Sequence, residues 1–269
     1  MTRCASASRK CWAMAERPLA FWCRIPSRPN FGDALTPWLI RRITGVWPGF
    51  ARPEDPRLKY FVTGSILGLS AAHCRIWGAG ILRRDDPVSP EAKWLAVRGP
   101  LSRDRARACG AECPEVYGDP ALLLPRLYRP SVMARTALGV VAHFSDRHRI
   151  AWAHDPQIRI IDTQDPIETV VDAIVACDRI VSSSLHGLIV AHAYGVPASW
   201  GRFRALPSGD DSKFDDFHLS VGLDPPPAPL ALTYDRADAA KQEVATPRSA
   251  GLDVEPLWRC CPFRTELIA

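Results

Sequence analysis

The chain predicts an α/β fold of two doubly wound units facing each other across a cleft, on three observations. Short β-branched or apolar runs alternate with helical periodicity in both halves, strands repeatedly end in small residues, and a low-pattern run at 129–135 splits the alternation in two. With 269 residues and 47% hydrophobic content, the chain has the apolar surface for two packed cores. The expected organisation is a disordered extension over 1–17, with Met14 as an alternative start, and a first Rossmann-like unit over 18–128. A linker over 129–135 leads to a second Rossmann-like unit over 136–230, and a tail over 231–269 packs back on the body.

In the first unit, Leu19–Ile25 reads as a strand running into SRPNFGDAL, where Asn30 and Gly32 make a turn. Asp33 is placed to cap a helix through Thr44, whose Leu35, Trp38, Leu39 and Ile43 share one face and which Gly45 stops. A plain N-cap and a catalytic carboxylate are compatible readings of Asp33. Tyr60–Thr63 before Gly64-Ser65, and Arg75–Trp77 before Gly78-Ala79-Gly80, are strands whose small ends admit a ligand or backbone. Trp94–Val97 brings Arg98 out toward the crevice, ahead of a helix opened by Pro100 and stopped by Gly110. Arg103, Arg105 and Arg107 suit a solvated helical face. Glu115–Tyr117 closes this unit.

In the second unit, Ala137–His143 and Ile158–Ile161 are strands, and Asp165-Pro166-x-Glu168 starts a helix in the manner of a capping box. The chain is organised around Asp178–Trp200: strand Arg179–Ser182, a serine turn, helix Leu185–Tyr194, and Gly195 as its left-handed cap. His186 sits at that turn, beside helix N–H groups suited to an anion. The plain alternative is a histidine that packs a helix end. The DPPPAPL run beginning at Asp224 ends the second sheet, and the tail holds a helix around 235–244 and an apolar segment at Leu257–Phe263.

Composition narrows the function classes. No apolar run approaches the ~20 residues of a membrane span, and the basic start lacks the apolar centre of a signal peptide. Nine cysteines without a CxxC read as reduced thiols in a cytosolic protein with no metal site. A net charge of +5, from 34 basic against 29 acidic residues, suits small anions or a membrane surface. Nothing reads as a nucleic-acid module.

Taken in order, NFGDAL, GSIL, WGAG, VRGPLS, YGDPALLLP, SSSLHGLIVAHAYGVP and KFDDFHLSVG resemble the polysaccharide pyruvyl transferase family, particularly its exopolysaccharide ketal-pyruvate branch, from Leu19 to Leu223. The resemblance implies a GT-B-like fold and transfer of a pyruvyl group from phosphoenolpyruvate, with no separate cofactor, onto two sugar hydroxyls as a cyclic ketal. The implied acceptor is a lipid-linked oligosaccharide or polysaccharide sugar. It would be met in the cytoplasm at the inner membrane face, where the modest positive charge permits peripheral association. The resemblance makes His186 the general acid and Arg98 a phosphoenolpyruvate ligand, and the chemistry suits Asp33 as the base. The expected substrate contacts are Asn30, Gly32, Gly64, Ser65, Gly78, Gly80, Ser183, Ser184, Leu185 and Lys213. Some relatives carry an arginine where this chain has Ser184, which shifts donor anchoring toward Arg98, backbone N–H groups or Lys213. The alternatives are a GT-B glycosyltransferase using a nucleotide sugar and a non-catalytic glycan-binding relative.

Overall fold

The computed structural model describes residues 17–24, 30–132, 134–205, 209–242 and 253–264. The extension over 1–16 and the end of the Leu19–Ile25 strand lie outside them. Strands β1 (Leu19–Phe21), β2 (Gly49–Phe50), β3 (Lys59–Phe61), β4 (Cys74–Trp77) and β5 (Lys93–Ala96) form a parallel sheet in the order β2-β1-β3-β4-β5. Strands β6 (Thr136–Ala142), β7 (Ile158–Asp162), β8 (Cys177–Ser182), β9 (Ala198–Arg202) and β10 (Leu230–Ala231) form a second parallel sheet in the order β10-β9-β8-β6-β7. Numbered within its own unit, each sheet reads 2-1-3-4-5. In such a sheet the chain reverses direction of travel between the first and third strands, and the crevice opens at their carboxyl ends. Those ends are β1/β3 in the first unit and β6/β8 in the second.

Helix α1 (Phe31–Thr44) follows β1. It buries Leu35, Trp38, Leu39 and Ile40 and stops at Gly45, whose φ of 83° suits a residue without Cβ and whose N–H reaches the Arg41 carbonyl at 2.7 Å. Its N-cap is Asn30, in extended conformation, so the expectation that Asp33 caps this helix is corrected: Asp33 is its third residue. Helix α4 (Ile167–Val175) is capped by Pro166 without a side-chain bond. Glu168 therefore does not complete a capping box; its Oε1 accepts the Trp38 indole N–H at 2.8 Å and ties α4 to α1. One buried apolar cluster runs from Ala20, Leu35 and Trp77 of the first unit to Val141, Ile174 and Leu188 of the second.

Two strand boundaries differ from expectation, at Glu115–Tyr117 and at DPPPAPL. Glu115–Tyr117 yields only a single bridge, from Tyr117 to Val97. The run after Tyr128 is tethered: the Tyr128 hydroxyl and Ser131 N–H both donate to Asp172 Oδ1, at 2.8 and 3.1 Å, and Arg135 pairs with Asp178 at 2.9 Å. DPPPAPL does not end the second sheet but leads into β10. The tail forms α7 (Asp238–Lys241) and α8 (Glu255–Arg259), and it does return to the body. Trp77 Nε1 donates to the Leu257 carbonyl at 3.0 Å, and the Phe263 ring lies 4.6 Å from that of Tyr60. Among the described residues no helix is long and apolar enough to cross a membrane.

Candidate active site

The serine turn leaves β8 and enters α5 (Leu185–Ala193). The Ser182 hydroxyl accepts the Ser184 N–H at 3.1 Å and donates to the Ser184 carbonyl at 2.7 Å, which closes the turn on itself. Ser183 N–H donates to Val141 O at 3.0 Å, and its Oγ accepts the His143 N–H at 2.9 Å, pinning the turn to the end of β6. Ser184 is the N-cap but makes no side-chain cap bond. Among the described residues, the N–H groups of Leu185 and His186 find no protein acceptor, so the first turn of α5 retains its donors and its positive dipole end.

His186 is 7% exposed and stands between the units. Its Nε2 lies 3.4 Å from Asp119 Oδ2; among the described residues neither atom has a hydrogen-bond partner, and both are buried. Asp119 caps the 3-10 turn Pro120–Leu123, its Oδ1 accepting the Ala121 N–H at 2.9 Å. On the other side of the imidazole is Gly32, where a Cβ would overlap ring atoms Nδ1, Cε1 and Cγ. The space that Gly32 opens is filled by His186, not by an approaching ligand. Asp33 follows, its carboxyl pushed up to about 6, chiefly by burial, against the opposing pull of His186, the Asn30 side chain and Lys213. Among the described residues Asn30 Oδ1 is buried without a partner, and Gly64, with φ of 100°, turns the chain after β3 so that a Cβ there would stand 4.0 Å from Asp33 Oδ1.

Arg98 was expected to point into the crevice; the structure seals it beneath, with 0% exposure. Its Nε donates to Asp216 Oδ2 at 3.0 Å, Nη1 to Ser65 Oγ at 2.8 Å and Nη2 to the Ile81 carbonyl at 2.7 Å. Asp216, also 0% exposed, accepts the Ser102 N–H at 3.0 Å and its hydroxyl at 2.6 Å. Gly80 serves this network, since a Cβ there would overlap the guanidinium, and Gly78, with φ of 91°, makes room for Pro120. Ser65 is held by Arg98. Asp216 lies on α6 (Ser212–Ser220), which follows β9 in sequence yet packs on α2 (Pro100–Ala108) of the first unit. The Arg98–Asp216 pair thereby fixes α6.

That helix also carries Lys213, half-buried and, among the described residues, without a hydrogen bond or ion pair. Burial, then the Arg98 charge, lowers its pKa, while Asp211 and Asp33 oppose the shift. His143, at the end of β6, is pushed down to about 4 by burial and by Lys213. Its Nδ1 is 2.8 Å from Ser145 Oγ, which accepts from Arg204 Nη2 at 2.9 Å. Sequence reasoning assigned no role to Asp119, Asp216 or His143. The first two stand in GDP and KFDD, and His143 occupies the strand-end position that was used to select Arg98.

The site thus brings together His186, Asp33, Asn30, Lys213 and the α5 N-terminus, with Gly32, Gly64, Ser183, Ser184 and Leu185 shaping it and Arg98, Ser65, Gly78 and Gly80 supporting it from below. Among the described residues no group of three or more His, Cys, Asp or Glu could hold a metal ion. No solved structure matches the chain. An uncharacterized protein of Acanthamoeba polyphaga mimivirus is 29% identical over 172 residues, covering 60% of this chain and 59% of that protein. The sequence profile for polysaccharide pyruvyl transferase matches residues 66–200, half of the chain and the stretch holding Arg98, Asp119, His143 and the serine turn with His186. On that match the chain belongs to the polysaccharide pyruvyl transferase family.

Proposed function

We propose that this protein transfers the pyruvyl group of phosphoenolpyruvate onto two hydroxyls of a glycan-precursor sugar, using a GT-B-like cleft between its two units. The observation that carries the reading is His186 lodged between two carboxylates beside a helix N-terminus, with the Lys213 ammonium nearby, set over the Phe214 ring and, among the described residues, without an acidic partner in hydrogen-bond reach. A donor with a phosphate and a carboxylate needs two anion sites. The α5 N–H groups supply one and Lys213 the other, filling the place that an arginine at position 184 takes in some relatives. Arg98 acts from below by holding α6, and therefore Lys213, in position.

The chemistry follows from these groups. An imidazolium at His186 gives its proton to the methylene carbon of the enol, whose π pair forms the new C–H bond and leaves C2 electron-poor. One sugar hydroxyl adds to C2 and its proton passes to a base; Asp33, near neutrality, is suited to take it. The C–O bond to phosphate then breaks and the second hydroxyl closes the ketal. One hydroxyl proton replaces that spent on the methyl group and the other leaves on hydrogen phosphate, so no net proton is consumed. Work on a lipid-linked acceptor at the cytoplasmic face of the membrane fits the basic charge. Calorimetry tests the donor: phosphoenolpyruvate should bind and a nucleotide sugar should not. Tight binding of the nucleotide sugar alone would replace this reading with glycosyl transfer.

A further inference from the structure

Two buried polar atoms in this site face each other without a formal hydrogen bond: Nε2 of His186 and Oδ2 of Asp119, 3.4 Å apart. A buried polar atom left unpaired loses its hydration with nothing in return, so two of them in mutual reach form one contact slightly longer than ideal. Its polarity is then determined. A carboxylate only accepts, so the hydrogen must sit on Nε2. Asp119 is itself held: its other oxygen caps the Ala121 N–H at 2.9 Å, and the side chain is 0% exposed, so it cannot swing away. Gly32 packs against the edge of the ring that carries Nδ1. The part of the imidazole that remains exposed, 9% of the side chain, is not at Nε2, whose atom is buried.

We propose that Asp119 is a positioning residue that holds neutral His186 as the Nε2–H tautomer, which makes Nδ1, on the Gly32 and Asp33 side, the nitrogen that moves the proton. The cation formed when Nδ1 is protonated is balanced by Asp119 behind the ring and by Asp33 beside it. When Nδ1 surrenders its proton to carbon, the ring returns to the tautomer Asp119 already favours, so the group needs no reorientation within a turnover. The catalytic part of this inference rests on the pyruvyl-transfer reading; the tautomer does not.

The test therefore reads the tautomer directly. Protein labelled with 15N-histidine is compared with Asp119→Asn at a pH where the ring is neutral, the His186 signals being identified by their loss in His186→Gln. Asparagine keeps a cap acceptor for Ala121 and nearly the same volume, so the fold should persist. Its amide can donate to Nε2. The expected result is a protonated Nε2 and a bare Nδ1 in the parent, with the two exchanged or mixed in Asp119→Asn. In turnover with phosphoenolpyruvate, Asp119→Asn should lose about 10–100-fold in kcat with donor affinity nearly unchanged, and Asp119→Glu should recover part of it. An Nδ1–H tautomer in the parent, or a tautomer ratio that ignores Asp119→Asn, overturns the proposal. Absence of ketal product with the tautomer as expected would instead refute the reaction and leave Asp119 in its role.

Discussion

Arg98 carries the sharpest stability forecast, because it is a charge with 0% exposure whose counter-ion Asp216 is equally sealed. Arg98→Ala removes three guanidinium hydrogen bonds, to Asp216, Ser65 and the Ile81 carbonyl, and leaves Asp216, among the described residues, with only the Ser102 donors. Breaking one side of a buried pair costs about 3–5 kcal/mol, chiefly from the stranded charge. At ~2–4 °C per kcal/mol for a chain of this size, the melting temperature should fall by roughly 10 °C. Urea unfolding would measure the loss, and pairing Arg98→Met with Asp216→Leu should recover most of it, since no charge is then left unpaired. If Arg98→Ala unfolds at the parent's urea concentration yet no longer binds phosphoenolpyruvate, the guanidinium reaches the donor and the positioning role is wrong.

Other expectations can be checked on the same preparations. Asp33 keeps its proton to about 6 when folded, against 3.8 for an ordinary aspartate, so the folded chain binds more protons between these values and loses stability as pH rises through them. Asp33→Asn should remove that decline, about 2–3 kcal/mol by pH 7; parallel pH–stability curves for the two proteins would refute the assignment. Gly32→Ala should destabilise by about 1–3 kcal/mol and lower kcat, although alanine is the better helix former, because its Cβ displaces the His186 ring; an alanine variant more stable than the parent would contradict the packing. Lys213→Met should weaken phosphoenolpyruvate binding by roughly 10-fold or more while leaving the melting temperature within a few degrees, and unchanged affinity by calorimetry would remove Lys213 from the donor site.

The longer strands of both sheets and the turn bearing His186 are legible in the sequence, since β-branched runs and helical spacing are local. Strands β2 and β10, of two residues each, are too short to show a period of two. NFGDAL offers two capping residues three positions apart, Asn30 and Asp33, and only the backbone shows that Asn30 takes the role. Arg98 was correctly put at a strand end, but its partner lies 118 residues away on α6, and pairings of that range leave no trace in local pattern. The same holds for His186 and Asp119, although GDP followed by a turn invited a question about its carboxylate. The small strand ends read as room for a ligand or backbone, and Gly32 as a turn residue and substrate contact; at Gly32 and Gly80 the occupant is a side chain of the protein itself.

The most direct test of pyruvyl transfer follows the carbon. Phosphoenolpyruvate labelled with 13C at its methylene is incubated in D2O with the protein and a panel of hexopyranosides offering paired free hydroxyls, and the product is read by 13C NMR. Pyruvyl transfer through His186 gives a ketal methyl group carrying deuterium from the exchangeable His186 site, one phosphate released per ketal, and turnover lowered about 10²–10⁴-fold in His186→Gln. Phosphate release without a labelled ketal, or a folded His186→Gln protein that turns over at the parent's rate, would contradict it.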